Sequence, residues 1–486
     1  MDGLKQGELL LGTSVPDGLV KVGRVAPKAA SQIRESRIGI GLEKLDRSLY
    51  DPEKVYGQLA ALGVKWVRIQ SGWAKTEKER GIYSFEWLDA IVDSLLDRHM
   101  VPWMCLCYGN ELYDDRANNK TGAIGCPPIH SEEAKAAWSR YVSACVSRYK
   151  GRVEYFEVWN EPDGTHCWRH GVNAREYGRF AADTARAVKS ANPGAKVLGG
   201  SFCGTELQFL HQALQEGLGE DLDYVTYHNY KFDIEAGVLE FVRTMRAIID
   251  QFNPRIGIIQ GETGAPSAFG RGALKSSGWT YDRQAKFLLR RMMIDLMCEV
   301  KFASYFTLVD MYENLGGSEP TIEMTKEFYG YFGVLEERFD GDTPLGEYAP
   351  KPSYYAFQHL CSLFPGEMRP VDLPLSMEAL PSRAVGGYDV RPDDPKLVHT
   401  GFRKENGSAA FVYWYAADIM KECYSSTISF HYMGECGDIR LVDLYSGNIY
   451  ELDGSILEQP YRGAFRLKHL PLRDYPLVIT FGDFIS

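Results

Sequence analysis

The chain has 486 residues, with 54 Lys and Arg against 65 Asp and Glu, a formal net charge of −11; 45% of residues are hydrophobic and 13% aromatic. This is a globular composition with enough apolar residues for a sizeable core. An acidic chain without a Lys/Arg block lacks the clustered positive face that nucleic acids and anionic membranes require, so neither is expected as a partner and a neutral polar ligand fits better.

The opening residues, MDGLKQGELLLG, carry neither a basic n-region nor a long apolar h-region, and no apolar run approaches the ~18 residues of a membrane span. The expectation is a cytoplasmic protein. Ten cysteines between Cys105 and Cys436 follow no compact framework and read as reduced core thiols. Residues 1–36 are too short to fold alone and are expected to lend a strand, through GELLLG, to a later β domain.

From residue 37 to 364, β-branched runs alternate with amphipathic stretches, the pattern of parallel strands joined by crossover helices. Eight strands are predicted, at 37–42, 64–70, 101–107, 153–159, 196–201, 224–228, 256–261 and 301–308. The intervening helices show the expected period: after an Asp51 cap and Pro52, the residues Val55, Leu59 and Leu62 share a face and Gly63 supplies the stop. After Ser131, the residues Trp138, Tyr141, Val142, Cys145, Val146 and Tyr149 do the same. The eighth helix follows Pro352. Eight regular units predict an α/β fold, a (β/α)8 barrel, rather than a doubly wound sheet. Over 365–486 helical periodicity gives way to alternating runs with turns such as Glu405-Asn406-Gly407-Ser408, which predicts a β-sandwich.

Functional side chains of such barrels stand at the C-terminal strand ends. Two carboxylates stand there, Glu161 after the fourth strand (Trp159-Asn160-Glu161-Pro162) and Glu262 ending the seventh (Gln260-Gly261-Glu262). Each burdens an apolar strand end with a desolvation cost that a purely structural residue has no reason to bear. Strands four and seven lie nearly across the mouth, and two facing carboxylates are what glycoside hydrolysis needs. A metal site is the competing use; its best candidate, His166 with His170, lacks a third nearby ligand, so no metal and no cofactor are expected.

The segments GIGLEKLDRSLYDPEK, GVKWVRIQSGW, YFEVWNEPDG, YVTYHNY and IIQGETG resemble the clan A glycoside hydrolases, and the text over about 38–364 resembles family 39 and its β-xylosidase-like members. The resemblance implies a retaining enzyme with Glu161 as acid/base and Glu262 as nucleophile. It matches Arg68 to a barrel arginine, which would favour the ionised, nucleophilic form of Glu262. Asn160 is matched to a contact with the sugar 2-hydroxyl, and His228 and Tyr230 to a His-x-Tyr element in which Tyr230 donates to Glu262. As general acid, Glu161 needs a pKa raised by burial and by the Glu262 charge. Glu43 is a candidate for a sugar hydroxyl, and Trp73, Trp168, Tyr108 and Trp279 for stacking on sugar faces. One departure concerns the eighth strand, which in the clan ends in a tryptophan; here the text runs Thr307-Leu308-Val309-Asp310-Met311-Tyr312.

The expected activity is exo-cleavage of β-xylosides or related pyranosides, the partner being an oligosaccharide or simple glycoside. β-Galactoside, β-glucoside and α-L-arabinoside specificities, a catalytically silent carbohydrate-binding barrel, and metal-assisted hydrolysis through His166 and His170 are the alternatives. Nothing in the sequence sets the oligomeric state, and a homo-oligomer is compatible with it.

Overall fold

The computed structural model describes residues 17–118, 120–204, 206–270, 273–274, 277–311, 330–340, 343–381, 389–421, 423–434 and 437–486. The apolar GELLLG segment, Tyr312 and Cys436 lie outside them. The chain begins with strand β1 (Leu19–Arg24), then enters a closed parallel barrel of β2 (Ile38–Gly41), β3 (Trp66–Gln70), β4 (Val101–Leu106), β5 (Tyr155–Val158), β6 (Lys196–Phe202), β7 (Tyr224–His228), β8 (Gly257–Thr263) and β9 (Ala303–Tyr305). These are the eight strands expected, in the order expected. β9 is the exception in length: it ends at Tyr305, three residues before the limit read from the sequence.

Local chemistry sets the helices around the barrel. Asp51 accepts from the Glu53 N–H to start the turn at Pro52–Lys54, the helix Tyr56–Leu62 follows, and Gly63 ends it at φ +84°. Ser131 caps Glu132–Arg148, and Asn173 receives two N–H groups at the start of Ala174–Ala191. A hairpin of β10 (Leu335–Asp340) and β11 (Thr343–Pro350), absent from the predicted elements, precedes the last barrel helix, Pro352–Leu363.

The barrel floor is an aromatic plug of Trp66, Trp103, Tyr155, Leu198, Ile259 and Phe302, all at or near strand starts. Trp66 stacks on Phe302 at 4.3 Å and meets Tyr155 edge-on at 5.0 Å.

Beyond the barrel, a sandwich is built from a seven-stranded and a four-stranded antiparallel sheet. In the first, β1 pairs with Asn448–Leu452 at one edge, although the two are separated by almost the whole chain. The barrel helix Tyr281–Met297, capped by Thr280, packs against the sandwich, which explains its buried cations. Lys286 reaches Asp474 (3.2 Å), and Arg290 donates to the Ala417 carbonyl and to Glu235, which also accepts from Trp414 Nε1. The nine described cysteines are free thiols. Among the described residues no helix is long and apolar enough to cross a membrane.

Candidate active site

Directly above the aromatic plug lies a buried polar layer centred on Arg68 of β3, whose guanidinium sits 5.3 Å over the Trp103 ring. Arg68 is fully buried, and every donor edge is used. Nε meets Glu157 Oε2 at 2.8 Å, Nη2 meets Asn160 Oδ1 at 2.8 Å, and Nη1 reaches Glu262 Oε2 at 2.6 Å and Glu43 Oε1 at 3.4 Å. Burial disfavours the cation, but the surrounding carboxylates, Glu157 foremost, hold Arg68 well above the usual arginine range. Glu157 itself, on β5, also accepts from Ser201 Oγ (2.7 Å) and Thr226 Oγ1 (3.0 Å). Reading β5 as an apolar strand missed Glu157; the available signal was a carboxylate at an inward position of a strand buried on both sides.

Two carboxylates rise from this layer into a cleft of about 490 Å³ lined by Glu43, Asn160, Glu161, Tyr230 and Glu262 among others. An oxygen of Glu161 lies within 4.8 Å of an oxygen of Glu262. Tyr230 donates to Glu262 Oε1 at 2.6 Å, and burial with the Glu262 charge pushes its phenol well up, so it remains a donor. The chain around Glu161 turns sharply, with Trp159 at φ +66° and Glu161 at φ +45°, held by the Glu161 N–H to Ser201 carbonyl bond.

Glu161 itself departs from expectation. His228 Nδ1 lies 2.8 Å from Oε1, and His166 Nε2 makes a short contact with Oε2. Burial would raise its pKa, but the bonds from the two imidazoles and their charge hold the carboxyl well below the usual carboxylate range. The expected upward shift of Glu161 is thus corrected: the two imidazoles outweigh burial and favour its ionised form. His166 is raised to about 11 by its hydrogen bonds with the Cys167 thiol and Glu161. His228 is raised too, the Glu262 and Glu161 carboxylates outweighing its burial. Glu43 moves the other way from Glu161; burial first and the Glu262 charge second lift it to about 7. Its carboxyl folds over Gly41, where a Cβ would stand 2.0 Å from Oε2, so only glycine leaves room for it.

Three of the four aromatic assignments need correction. Trp73 has no exposed surface; its faces are covered by Tyr113 (5.4 Å) and Tyr141 (5.7 Å), and Nε1 donates to Glu77. Trp168 is equally buried, wedged among Trp159, Tyr177 and Phe180 with Nε1 on Glu176. Neither can stack on a sugar. Trp279 is a core residue against Phe287, whereas Tyr108 does border the cleft. Because β9 ends early, the residue at the eighth-strand rim is Phe306, not Thr307; Phe306 lines the cleft with Phe332, their rings edge-to-face at 5.7 Å. His166 and His170 do not converge, since His170 turns to His130 (3.1 Å).

With this geometry in view, comparison with known proteins gives a consistent picture. The family model for glycosyl hydrolases family 39 matches residues 55–368, more than half of the chain. A beta-xylosidase of Geobacillus stearothermophilus is 29% identical over 200 residues, 35% of this chain and 38% of the relative. One from Caldicellulosiruptor saccharolyticus is 24% identical over 331 residues, 62% of each chain. The matched stretches thus span less than two thirds of these relatives. Among solved structures, a family 39 glycoside hydrolase from the gut symbiont Bacteroides cellulosilyticus WH2 superposes with a TM-score of 0.63 at 16% identity, covering 92% of this chain and 81% of that one. A monomeric beta-xylosidase from Caulobacter crescentus CB15 gives 0.58 at 19% identity, covering 94% and 97%. These structures share the fold, and the family match over the barrel settles the classification: the chain belongs to glycosyl hydrolases family 39.

Proposed function

We propose that the chain is a retaining glycoside hydrolase, exo-acting on β-xylosides or related pyranosides, with Glu262 as nucleophile and Glu161 as acid/base. The observation that carries this reading is the carboxylate pair, whose nearest oxygens lie within 4.8 Å. His228 Nδ1 stands between them, 2.8 Å from Glu161 and 3.8 Å from Glu262, and a close pair of this kind suits the retaining arrangement, in which the carboxyl groups stand about 5–5.5 Å apart. Xyloside specificity is supported by relatives named beta-xylosidase.

In this reading Glu262, oriented by Arg68 and Tyr230, attacks the anomeric carbon while the leaving oxygen takes a proton from Glu161. That proton is drawn onto Glu161 from its bonds to His166 and His228. In the second half, water gives its proton to Glu161, attacks the anomeric carbon and releases Glu262. Asn160 meets the 2-hydroxyl, and Glu43, protonated below about pH 7, donates to another sugar hydroxyl. Phe306, Phe332 and Tyr108 supply apolar faces.

The test is a panel of nitrophenyl pyranosides and furanosides of both anomers, followed by proton NMR of the first sugar released. Turnover of a β-xyloside with initial β-anomer is expected. An initial α-anomer refutes double displacement, turnover of only a galactoside, glucoside or arabinoside corrects the specificity, and binding without turnover leaves a silent barrel.

A further inference from the structure

Three side chains of different chemistry converge on one side of Glu161: its own carboxylate at the end of β5, His166 in the turn after it, and Cys203 just past β6. One donor atom from each lies within 4.8 Å of the other two. Gly164 makes this approach possible, for a Cβ there would stand 2.4 Å from His166 Cε1 and 3.3 Å from Cys203 Sγ. Its missing side chain leaves imidazole and thiol room side by side. Glu161 Oε2 and His166 Nε2 already aim at one point, the proton they share. Meanwhile His228 Nδ1 fixes the other oxygen, the kind of support that orients carboxylate ligands at metal sites.

A carboxylate oxygen, an imidazole nitrogen and a thiol sulfur are a zinc ligand set, and three protein ligands leave a fourth position open. Tetrahedral bonds of about 2.0–2.3 Å need donor separations of roughly 3.3–3.7 Å. His166, whose side chain is 58% exposed while Glu161 is 13% exposed and held, is the ligand with room to swing: it must open from its short contact with Glu161 as the proton leaves and an ion enters between them. The second His/Glu cluster, formed by Glu161, His228 and Glu262, has no sulfur, and its histidine is fully buried.

We propose that Glu161, His166 and Cys203 form a binding site for Zn²⁺ or a similar borderline-soft divalent cation, which takes the place of the proton shared by Glu161 and His166. Binding displaces that proton and the Cys203 thiol proton to solvent, with no change of oxidation state. Its consequence for turnover rests on the glycoside hydrolase reading: a cation on Glu161 removes the acid, so the ion inhibits. The binding itself stands on the donor geometry alone.

The experiment titrates the full chain, dialysed against a chelator and then freed of it, with Co²⁺ as a spectroscopic stand-in, followed by displacement with Zn²⁺. One equivalent of Co²⁺ is expected to produce a thiolate-to-cobalt charge-transfer band that Zn²⁺ abolishes. Cys203→Ser should remove the band and His166→Ala should weaken binding by roughly tenfold or more, while Cys167→Ser, at the neighbouring thiol, should retain the band. No band in the unmodified chain, or one that survives Cys203→Ser and disappears in Cys167→Ser, overturns the site. A parallel assay of nitrophenyl glycoside hydrolysis should show Zn²⁺ inhibition reversed by EDTA. Hydrolysis that Zn²⁺ leaves untouched overturns the inhibitory role. A cobalt band without any glycoside turnover means that the catalytic reading has failed and the metal site stands.

Discussion

Arg68 and Glu157 face each other at the centre of the barrel, Nε to Oε2 at 2.8 Å, and neither is exposed to solvent. Glu157 also takes two hydroxyl hydrogen bonds, so it fixes the plane of the guanidinium whose other edge grips Glu262. Removing Glu157 leaves the buried guanidinium only Glu262 and Glu43 to balance it and leaves two buried hydroxyls without their acceptor, a loss that for a broken buried pair reaches about 3–5 kcal/mol. Glu157→Ala is therefore expected to lower stability by about that amount and to reduce kcat more than it raises KM, since Arg68 loses its orientation. Denaturant unfolding and steady-state kinetics check both; a change in KM alone would contradict a positioning role.

Glu43 carries a pH signature. Its pKa is raised to about 7 in the folded chain against an unfolded value of about 4.3. The folded state therefore binds the extra proton between these limits, so the protonated form's advantage is complete below about pH 4 and is lost as pH rises through about 7. Glu43→Gln mimics the neutral acid. Its melting temperature relative to the unmodified chain should rise steadily from pH 4 to pH 8, and a difference flat across that range would show that Glu43 is ionised throughout.

Glu262→Ala should lose roughly a thousandfold or more in kcat with the fold intact by circular dichroism. Azide should restore turnover and yield a glycosyl azide of inverted configuration. Labelling of a different residue by a 2-fluoro glycoside would reassign the nucleophile.

Glu161→Ala should slow substrates with poor leaving groups far more than activated aryl glycosides, because only the former need a proton on departure. His166→Ala should shift the alkaline limb of the pH profile, where the acid loses its proton, to higher pH, by removing one of the two bonds that hold Glu161 ionised. Equal losses across leaving groups in Glu161→Ala would remove it from the acid/base role.

Trp168→Ala should act on stability, costing about 3–5 kcal/mol as a buried aromatic is lost, and Trp168→Phe should leave KM unchanged. Phe306→Ala is expected to raise KM. A KM increase in Trp168→Phe would return that ring to the binding surface.

The barrel was readable from the sequence because parallel strands buried on both faces are continuous apolar runs, and because residues such as Asp51 and Ser131 mark helix starts chemically. Glu161 and Glu262 were readable as polar residues ending such runs. What the strand pattern could not carry was side-chain direction off the strands. Trp168 and Trp73 sit in segments that look like surface loops, yet fold back into the core. His166 comes within reach of Glu161 only through a turn set by Gly164 and two residues of positive φ. The pKa of Glu161 followed the same logic: burial is visible in a sequence, whereas two imidazoles arriving from β7 and from a turn are not.

The pairing of β1 with Asn448–Leu452 fixes an order of events during synthesis. Arg24 and its partner Asn448 are 424 residues apart, so at about 5–20 residues per second the first strand leaves the ribosome on the order of a minute before its neighbour exists. Through that interval it is a free edge bearing Val20 and Val22, both still exposed in the finished fold. The barrel is translated entirely within the wait, so all eight of its strands are available before the second unit can be completed.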